Sequence, residues 1–174
     1  MLRHLALTVL LAALPVGAAQ AGAPTGPPLD RNGPVAFLGL TFLDTSTEGA
    51  YFGARDDEAA RLALLRDEVA RRFRAEGFTL MDLAPVAAEL EATVNPAKCY
   101  GCDLRMGRKL GAAYVLEGEV QKVSNLILSM NLVLLEMPEG RMVRGRSVDI
   151  RSNTDESWLR GIRYILDNHY FGKE

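Results

Sequence analysis

Hydrophobic positions follow two different periods in the first half of this chain. Residues 35–44 form an almost unbroken apolar run that ends in Asp44, which is typical of a strand buried on both faces. From Asp56 to Gly77 the apolar positions recur at helical spacing, which predicts an amphipathic helix. The residues on its apolar face are Leu62, Leu65, Val69 and Phe73.

The middle of the chain predicts one more strand and two short helices. Residues 78–83 have the apolar character of a strand, and residues 84 to about 93 predict a helix with a proline in its first turn. Asp103 is placed to cap a second helix, which runs to Leu110 and ends at Gly111.

The second half predicts three consecutive strands and a final helix. Residues 113–124, 126–137 and 141–151 are rich in strand-forming residues, and a turn at 138–140 favours an antiparallel meander. Residues 153–156 resemble a capping box that starts the last helix. The apolar face of that helix contains Trp158, Leu159, Ile162, Ile165, Leu166 and Tyr170.

These elements predict the order β-α-β-α-α-β-β-β-α. The helices must cross back over the sheet, which predicts an α/β (α+β) fold with a two-layer sandwich. We expect a mixed five-stranded sheet with the helices on one face. The folded part is a single α/β domain over residues 35–174.

The first 21 residues have the order of a secretory signal peptide. Arg3 gives a positive start, and the apolar run at 5–16 is too short to span a bilayer. Small residues predict cleavage after Ala21. Residues 22–34 are rich in proline and glycine, which predicts a flexible arm before the domain.

Composition excludes several classes of protein. The chain has 174 residues, of which 48% are hydrophobic and 24% are charged, and this suits one folded domain rather than a disordered chain. The formal net charge is −2, so no excess of lysine and arginine is available for phosphate backbones. Nucleic acid is therefore not an expected partner.

The two cysteines, Cys99 and Cys102, allow three interpretations. In an exported protein, a disulfide that fixes the turn before Asp103 is the first of them. Alternatively, the following helix stabilises a Cys99 thiolate and Cys102 resolves mixed disulfides, although the carboxylate of Asp103 opposes that thiolate. A metal site needs further ligands, and the only histidine after the predicted leader is His169.

No complete catalytic set is visible in the sequence, and no cofactor or metal is expected. Asp44 and Asp56 flank the loop after the first strand, where α/β sheets often bind ligands, and they are candidate contacts for a cation or an amine. They also suit a turn and a helix start. Trp158 is expected in the core; if exposed, it is a candidate partner anchor.

Residues 110–124 resemble the helix-end-to-strand signature of proteins related to the amino-terminal domain of TolB, except that Ala113 replaces the usual aspartate. The Cys99-x-x-Cys102 motif and residues 122–128 and 154–158 are similar to a family of small secreted bacterial proteins of unknown function. The resemblance covers about residues 35–170.

This resemblance implies a periplasmic α/β domain that contacts other envelope proteins without an enzymatic activity of its own. It also implies an association with periplasmic quinoprotein alcohol-oxidation systems. The leading hypothesis is therefore a non-enzymatic periplasmic accessory protein, whose exposed sheet edges or arm at 22–34 bind a partner. A thiol–disulfide redox protein and a small-ligand or metal carrier are the alternatives.

Overall fold

The computed structural model describes residues 26–172. The predicted signal peptide at 1–21 and the first part of the predicted arm, 22–25, lie outside the described residues. The strands are β1 (Val35–Asp44), β2 (Tyr114–Ser124), β3 (Ile127–Glu136) and β4 (Arg141–Arg151). The helices are α1 (Thr47–Phe52), α2 (Asp56–Ala75), α3 (Ala87–Glu91), α4 (Cys102–Leu110) and α5 (Asp155–Ile165), and a π-helical turn follows at Leu166–Tyr170.

The four strands form one mixed sheet in the order β1-β2-β3-β4. Strands β1 and β2 are parallel, whereas β2, β3 and β4 form the predicted antiparallel meander. The mixed α/β fold is thereby confirmed. Residues matched across β1 and β2 include Val35 with Tyr114 and Asp44 with Lys122.

The predicted fifth strand at 78–83 is wrong. The main chain of that segment pairs with the sheet only at Val35, whose N–H donates to the Thr79 carbonyl and whose carbonyl accepts from the Met81 N–H, each at 2.9 Å. The chain then turns away, because the Asp82 side chain accepts the Ala84 N–H at 3.0 Å and a proline follows in the next 3₁₀ turn.

Helices cover both faces of the sheet, so the expectation of helices on one face is also wrong. Helices α2 and α5 pack on the first face, where most of the core lies. On the second face, α4 packs against β1 and β2, and Gly107 lies so close to Val115 that a β-carbon there would clash. Side chains of a strand alternate between faces, so the unbroken apolar run of β1 requires cover on both.

Two local details at the helix starts differ from the sequence predictions. Asp103 is not a cap, because α4 begins at Cys102 with Gly101 as the N-cap in the left-handed region (φ 91°). Helix α1 was not predicted, since it buries no residue and has no apolar stripe. Its start is fixed by the Ser46 hydroxyl, which accepts the Gly49 N–H at 3.0 Å.

The described residues before β1, 26–34, lie against the domain. Leu29 packs against the core, and the Pro27 carbonyl accepts from Arg144 Nη2 at 2.8 Å. The Asp30 N–H donates to the Tyr114 hydroxyl at 3.0 Å. Among the described residues, no helix is both long and apolar enough to cross a membrane.

Candidate functional site

Lys122 lies at the centre of a buried polar cluster at one end of the sheet. Its side chain points from β2 towards α2 and is only 1% exposed. Its Nζ lies 2.8 Å from Glu58 Oε1 in the first turn of α2 and 3.0 Å from Asp44 Oδ2 at the end of β1. We call these three residues the Lys122 cluster.

Hydrogen bonds complete the Lys122 cluster. Burial alone would raise the pKa of Asp44, but bonds from the Ser46 hydroxyl and N–H and from Lys122 outweigh it and hold that pKa below its usual value. For Lys122, burial acts to lower the pKa, and the bonds to Glu58 and Asp44 raise it overall. Asn153 Nδ2 donates to Glu58 Oε1 at 2.7 Å, which connects the cluster to the start of α5.

The two predicted ligand contacts, Asp44 and Asp56, do not form a joint site. Asp44 is neutralised by the chain's own ammonium group, and Asp56 is exposed at the start of α2. The neighbouring Asp57 pairs with Arg55 and Arg61. Over residues 26–172, no group of three or more histidine, cysteine or acidic side chains is arranged to hold a metal ion.

Trp158 is a core residue, as the sequence predicts, and its side chain is fully buried. The ring centroid lies 5.6 Å from that of Phe42, and the indole N–H donates to Asn153 Oδ1 at 3.0 Å. The indole therefore stabilises the same end of the domain as the Lys122 cluster, and it is not available as an anchor for a partner.

Cys99 and Cys102 form a disulfide with their Cα atoms 5.5 Å apart. The bond closes the loop that leads into α4, and the Asp103 N–H donates to Cys99 Sγ at 3.4 Å. The Asp103 carboxylate is also near, with Oδ1 3.9 Å from that sulfur. Between the cysteines, Tyr100 is fully exposed and has a positive φ of 57°.

Two buried glutamates of β2 lie on the α4 side of the sheet, and they differ in their partners. Glu119 accepts from Lys98 Nζ at 2.8 Å and from Asn95 Nδ2 at 2.6 Å, which ties the disulfide loop to the sheet. Glu117 is 4% exposed, and its Oε2 has no hydrogen-bond partner among the described residues. Burial, and secondarily the charge of Asp103, raises the pKa of Glu117 to about 7.

Sequence reasoning missed both glutamates. The available signal was a pair of acidic residues at alternate positions, 117 and 119, among the apolar residues 114–120 of β2. A strand covered on both faces buries such side chains, so each needs a partner or must accept a proton.

Large apolar side chains are exposed at the end of the sheet that contains the Lys122 cluster. Tyr51 is 81% exposed and Phe52 is 79% exposed, both on α1. The turn between β2 and β3 exposes further apolar residues beside them. We call the whole group the hairpin patch; its residues are Leu43, Tyr51, Phe52, Val123, Leu126 and Ile127.

The α1 aromatics and the β2–β3 turn are neighbours. Asn125 Nδ2 in that turn lies 3.4 Å from Glu48 Oε1 on α1. Tyr51 and Phe52 follow Glu48 by three and four residues, so they share its side of the helix. Since Leu126 follows Asn125 directly, this contact places the aromatic side of α1 next to the exposed apolar turn.

The fold and these clusters define a small mixed α/β domain with a four-stranded sheet and helices on both faces. The chain belongs to the family described as Protein of unknown function (DUF2380), whose profile matches residues 34–170. This match confirms the prediction that the chain belongs to a family of small proteins of unknown function. A comparison with curated proteins finds no match.

Several solved bacterial structures have a similar fold. The PelC dodecamer from Paraburkholderia phytofirmans is 13% identical over 83% of this chain and 94% of that chain, with a TM-score of 0.50. The LpoB C-terminal domain from Salmonella enterica is 16% identical over 71% and 86%, with a TM-score of 0.48. TolB from Acinetobacter baumannii is 12% identical over 82% and 30%, with a TM-score of 0.42. At these identities the likeness concerns the fold, and none of these matches supports the association with quinoprotein alcohol oxidation.

Proposed function

We propose that this protein is a non-enzymatic periplasmic accessory protein that binds another envelope protein through the hairpin patch. The observation that carries the proposal is the exposure of Tyr51 and Phe52 on a helix that buries none of its own residues. Exposed aromatic side chains grouped with aliphatic ones are typical of the centre of a protein interface.

The Lys122 cluster supports this proposal because it anchors the start of α1, which carries the aromatic residues of the hairpin patch. Asp44 contacts both Lys122 and the Ser46 cap of α1, and these contacts hold the backbone at the start of the helix that carries Tyr51 and Phe52. A preformed surface loses little conformational entropy when it binds. The acidic side chain of Glu48 beside the patch and the net charge of −2 favour a protein partner over an anionic lipid surface.

We expect the double variant Tyr51→Ser/Phe52→Ser to lose capture of the partner while the domain stays folded. Both side chains are exposed, so the free energy of unfolding should change by less than about 0.5 kcal/mol. The measurement is crosslinking in periplasm followed by mass spectrometry of the captured proteins, with thermal unfolding of the purified variant.

Tyr164→Ser is the matched control, because Tyr164 is also exposed but lies on α5. The control should capture the partner normally. Equal capture by the double variant and the wild type would contradict the proposal. The similar PelC structure is a dodecamer, so the oligomeric state of this protein is measured in the same experiment. If the hairpin patch only joins copies of this chain, the proposal of a different partner is also contradicted.

Thiol–disulfide exchange is the second candidate function, and one contact favours it. The Asp103 N–H at the start of α4 points at Cys99 Sγ, where it stabilises a thiolate. In exchange, one thiolate of a substrate dithiol attacks Cys99 Sγ of the Cys99–Cys102 disulfide, which forms a mixed disulfide and releases the Cys102 thiolate. The second substrate thiolate then attacks the substrate sulfur of that mixed disulfide, which forms the substrate disulfide and releases the Cys99 thiolate.

The reduction potential of the Cys99–Cys102 pair separates these two functions. We expect a value below about −300 mV, as for structural disulfides, if the protein is an accessory domain. Titration against dithiothreitol ratios with thiol alkylation and mass readout gives the value. A potential in the range of exchange catalysts, roughly −120 to −270 mV, would favour the redox function. Asp103→Asn is the informative variant, since it removes the carboxylate near Cys99 but keeps the N–H.

A further inference from the structure

The outer edge of β1 is open over most of its length. The opposite edge pairs with β2, but on the outer side the main chain pairs only at Val35, with Thr79 and Met81. Backbone groups alternate along a strand, and a β-bulge between Phe37 and Gly39 shifts that alternation by one residue. After the bulge, Leu40 and Phe42 therefore present their N–H and C=O groups outwards, as the contact of the Leu40 carbonyl with Arg66 shows. Over residues 26–172, the hydrogen bonds to that stretch come from Arg66 alone, whose Nη2 and Nε donate to the Leu40 carbonyl at 2.6 Å and 3.2 Å.

A groove of about 870 Å³ runs along this open edge. It lies where the predicted fifth strand would have paired, between α2 and the segment that contains α3. Apolar side chains from both walls line it, including Leu38, Leu83, Ala87 and Leu90. We call this feature the β1 groove. Its length along residues 37–42 matches a short strand.

The charges around the β1 groove are mostly negative. Asp67, Asp82 and Glu91 line it and are exposed, and within the described part of the chain none of them forms an ion pair. Arg66 is the basic residue that lines the groove, and its guanidinium already donates hydrogen bonds to the Leu40 carbonyl. An occupant with positive side chains therefore complements the groove.

We propose that the β1 groove binds an extended segment of a second protein, which joins the sheet as a strand beside β1. The main chain of that segment pairs with Leu40 and Phe42 and displaces the Arg66 guanidinium. Its side chains point alternately to the two walls. Lysine or arginine meets Asp67 on the α2 wall and Asp82 and Glu91 on the other wall, and the apolar side chains between them contact the apolar lining. This site is separate from the hairpin patch.

Other occupants fit the groove less well. The chain's own residues before β1 pass Arg144 on β4, at the opposite edge of the sheet. They contain Pro27 and Pro28, which have no N–H to donate to a strand. A second copy cannot pair its own β1 there by symmetry, because each β1 edge lies recessed between helical walls.

The test uses a peptide of about ten residues in which two valines alternate with two lysines, so that lysine faces both walls of the groove, and the peptide is added to the full mature protein. Binding is measured by titration, and hydrogen exchange of the Leu40 and Phe42 amides is followed by NMR. We expect both amides to become protected and the affinity to fall at least about tenfold when alternate peptide nitrogens are methylated. A valine–glutamate peptide should bind at least about tenfold more weakly.

The charge-reversal variant Asp67→Lys/Glu91→Lys should bind the valine–lysine peptide about tenfold more weakly than the wild type does. Glu139→Lys is the control, because Glu139 is an exposed acidic residue in the β3–β4 turn, away from the groove. This variant should bind the peptide as tightly as the wild type does. Tyr51→Ser/Phe52→Ser should bind the peptide normally, which separates this site from the proposed function. Three results would each overturn the inference. They are peptide binding that is unchanged by N-methylation, protection of β4 amides instead of β1 amides, and self-association of the protein through the groove.

Discussion

Replacing Lys122 by methionine should lower the free energy of unfolding by about 3–5 kcal/mol, because the change leaves buried carboxylates without a counter-charge. Asp44 and Glu58 both contact Lys122 Nζ, and Glu58 Oε2 already has no partner among the described residues. Urea denaturation followed by Trp158 fluorescence measures the loss, since the indole is buried near the same end of the domain.

The matched control is Lys109→Met, which breaks the pair with Glu89, where both side chains are about half exposed. The Lys109→Met substitution should lower the free energy of unfolding by at most about 1 kcal/mol. In the Lys122→Met background, Glu58→Gln should recover part of the lost stability, since it removes a buried negative charge. Equal costs for Lys122→Met and Lys109→Met would contradict the structural role of the cluster.

Replacing Glu117 by glutamine should stabilise the protein above neutral pH. The pKa of Glu117 rises from 4.5 to about 7, so the folded protein binds this proton more tightly than the unfolded chain does. Its contribution to stability is therefore full below pH 4.5 and is lost as the pH rises through about 7. Glutamine stays neutral, so the variant should gain about 3 kcal/mol over the wild type at pH 8 and almost nothing at pH 4.

Glu119→Gln is the control for this effect, because Glu119 is equally buried but paired with Lys98 and Asn95. It should destabilise the protein at pH 8 rather than stabilise it. The measurement is the free energy of unfolding of both variants and the wild type from pH 4 to pH 8. A Glu117→Gln gain that is the same at both ends of this range would show that folding does not raise the pKa of Glu117, which would contradict the prediction.

Most elements of the fold could be predicted because their apolar period is local. The meander of β2, β3 and β4 and the amphipathic helices α2 and α5 follow directly from such patterns. The segment at 78–83 could not be resolved in this way. Its apolar residues suit a strand, but Asp82 and Pro85 turn the chain after one bridge, and pairing depends on how long the chain stays beside β1.

The candidate sites were less predictable, because they depend on which distant side chains meet. Asp44 was selected from its position after β1, but its cation is Lys122, a residue with nothing unusual in its own sequence context. The hairpin patch was missed, since α1 has no helical stripe and exposed aromatics look like core residues in a sequence. Trp158, by contrast, was placed correctly by its position on the apolar face of α5.

The parallel pairing of β1 with β2 has a consequence for the order of folding. Strands β2 to β4 and α5 follow one another along the chain, whereas Asp44 and Lys122, at the paired ends of β1 and β2, are 78 positions apart. Contacts of such long range form late, because a large loop must close first. The apolar strand β1 thus comes first in the chain but pairs last, and until β2 pairs with it, β1 is an exposed segment prone to aggregation.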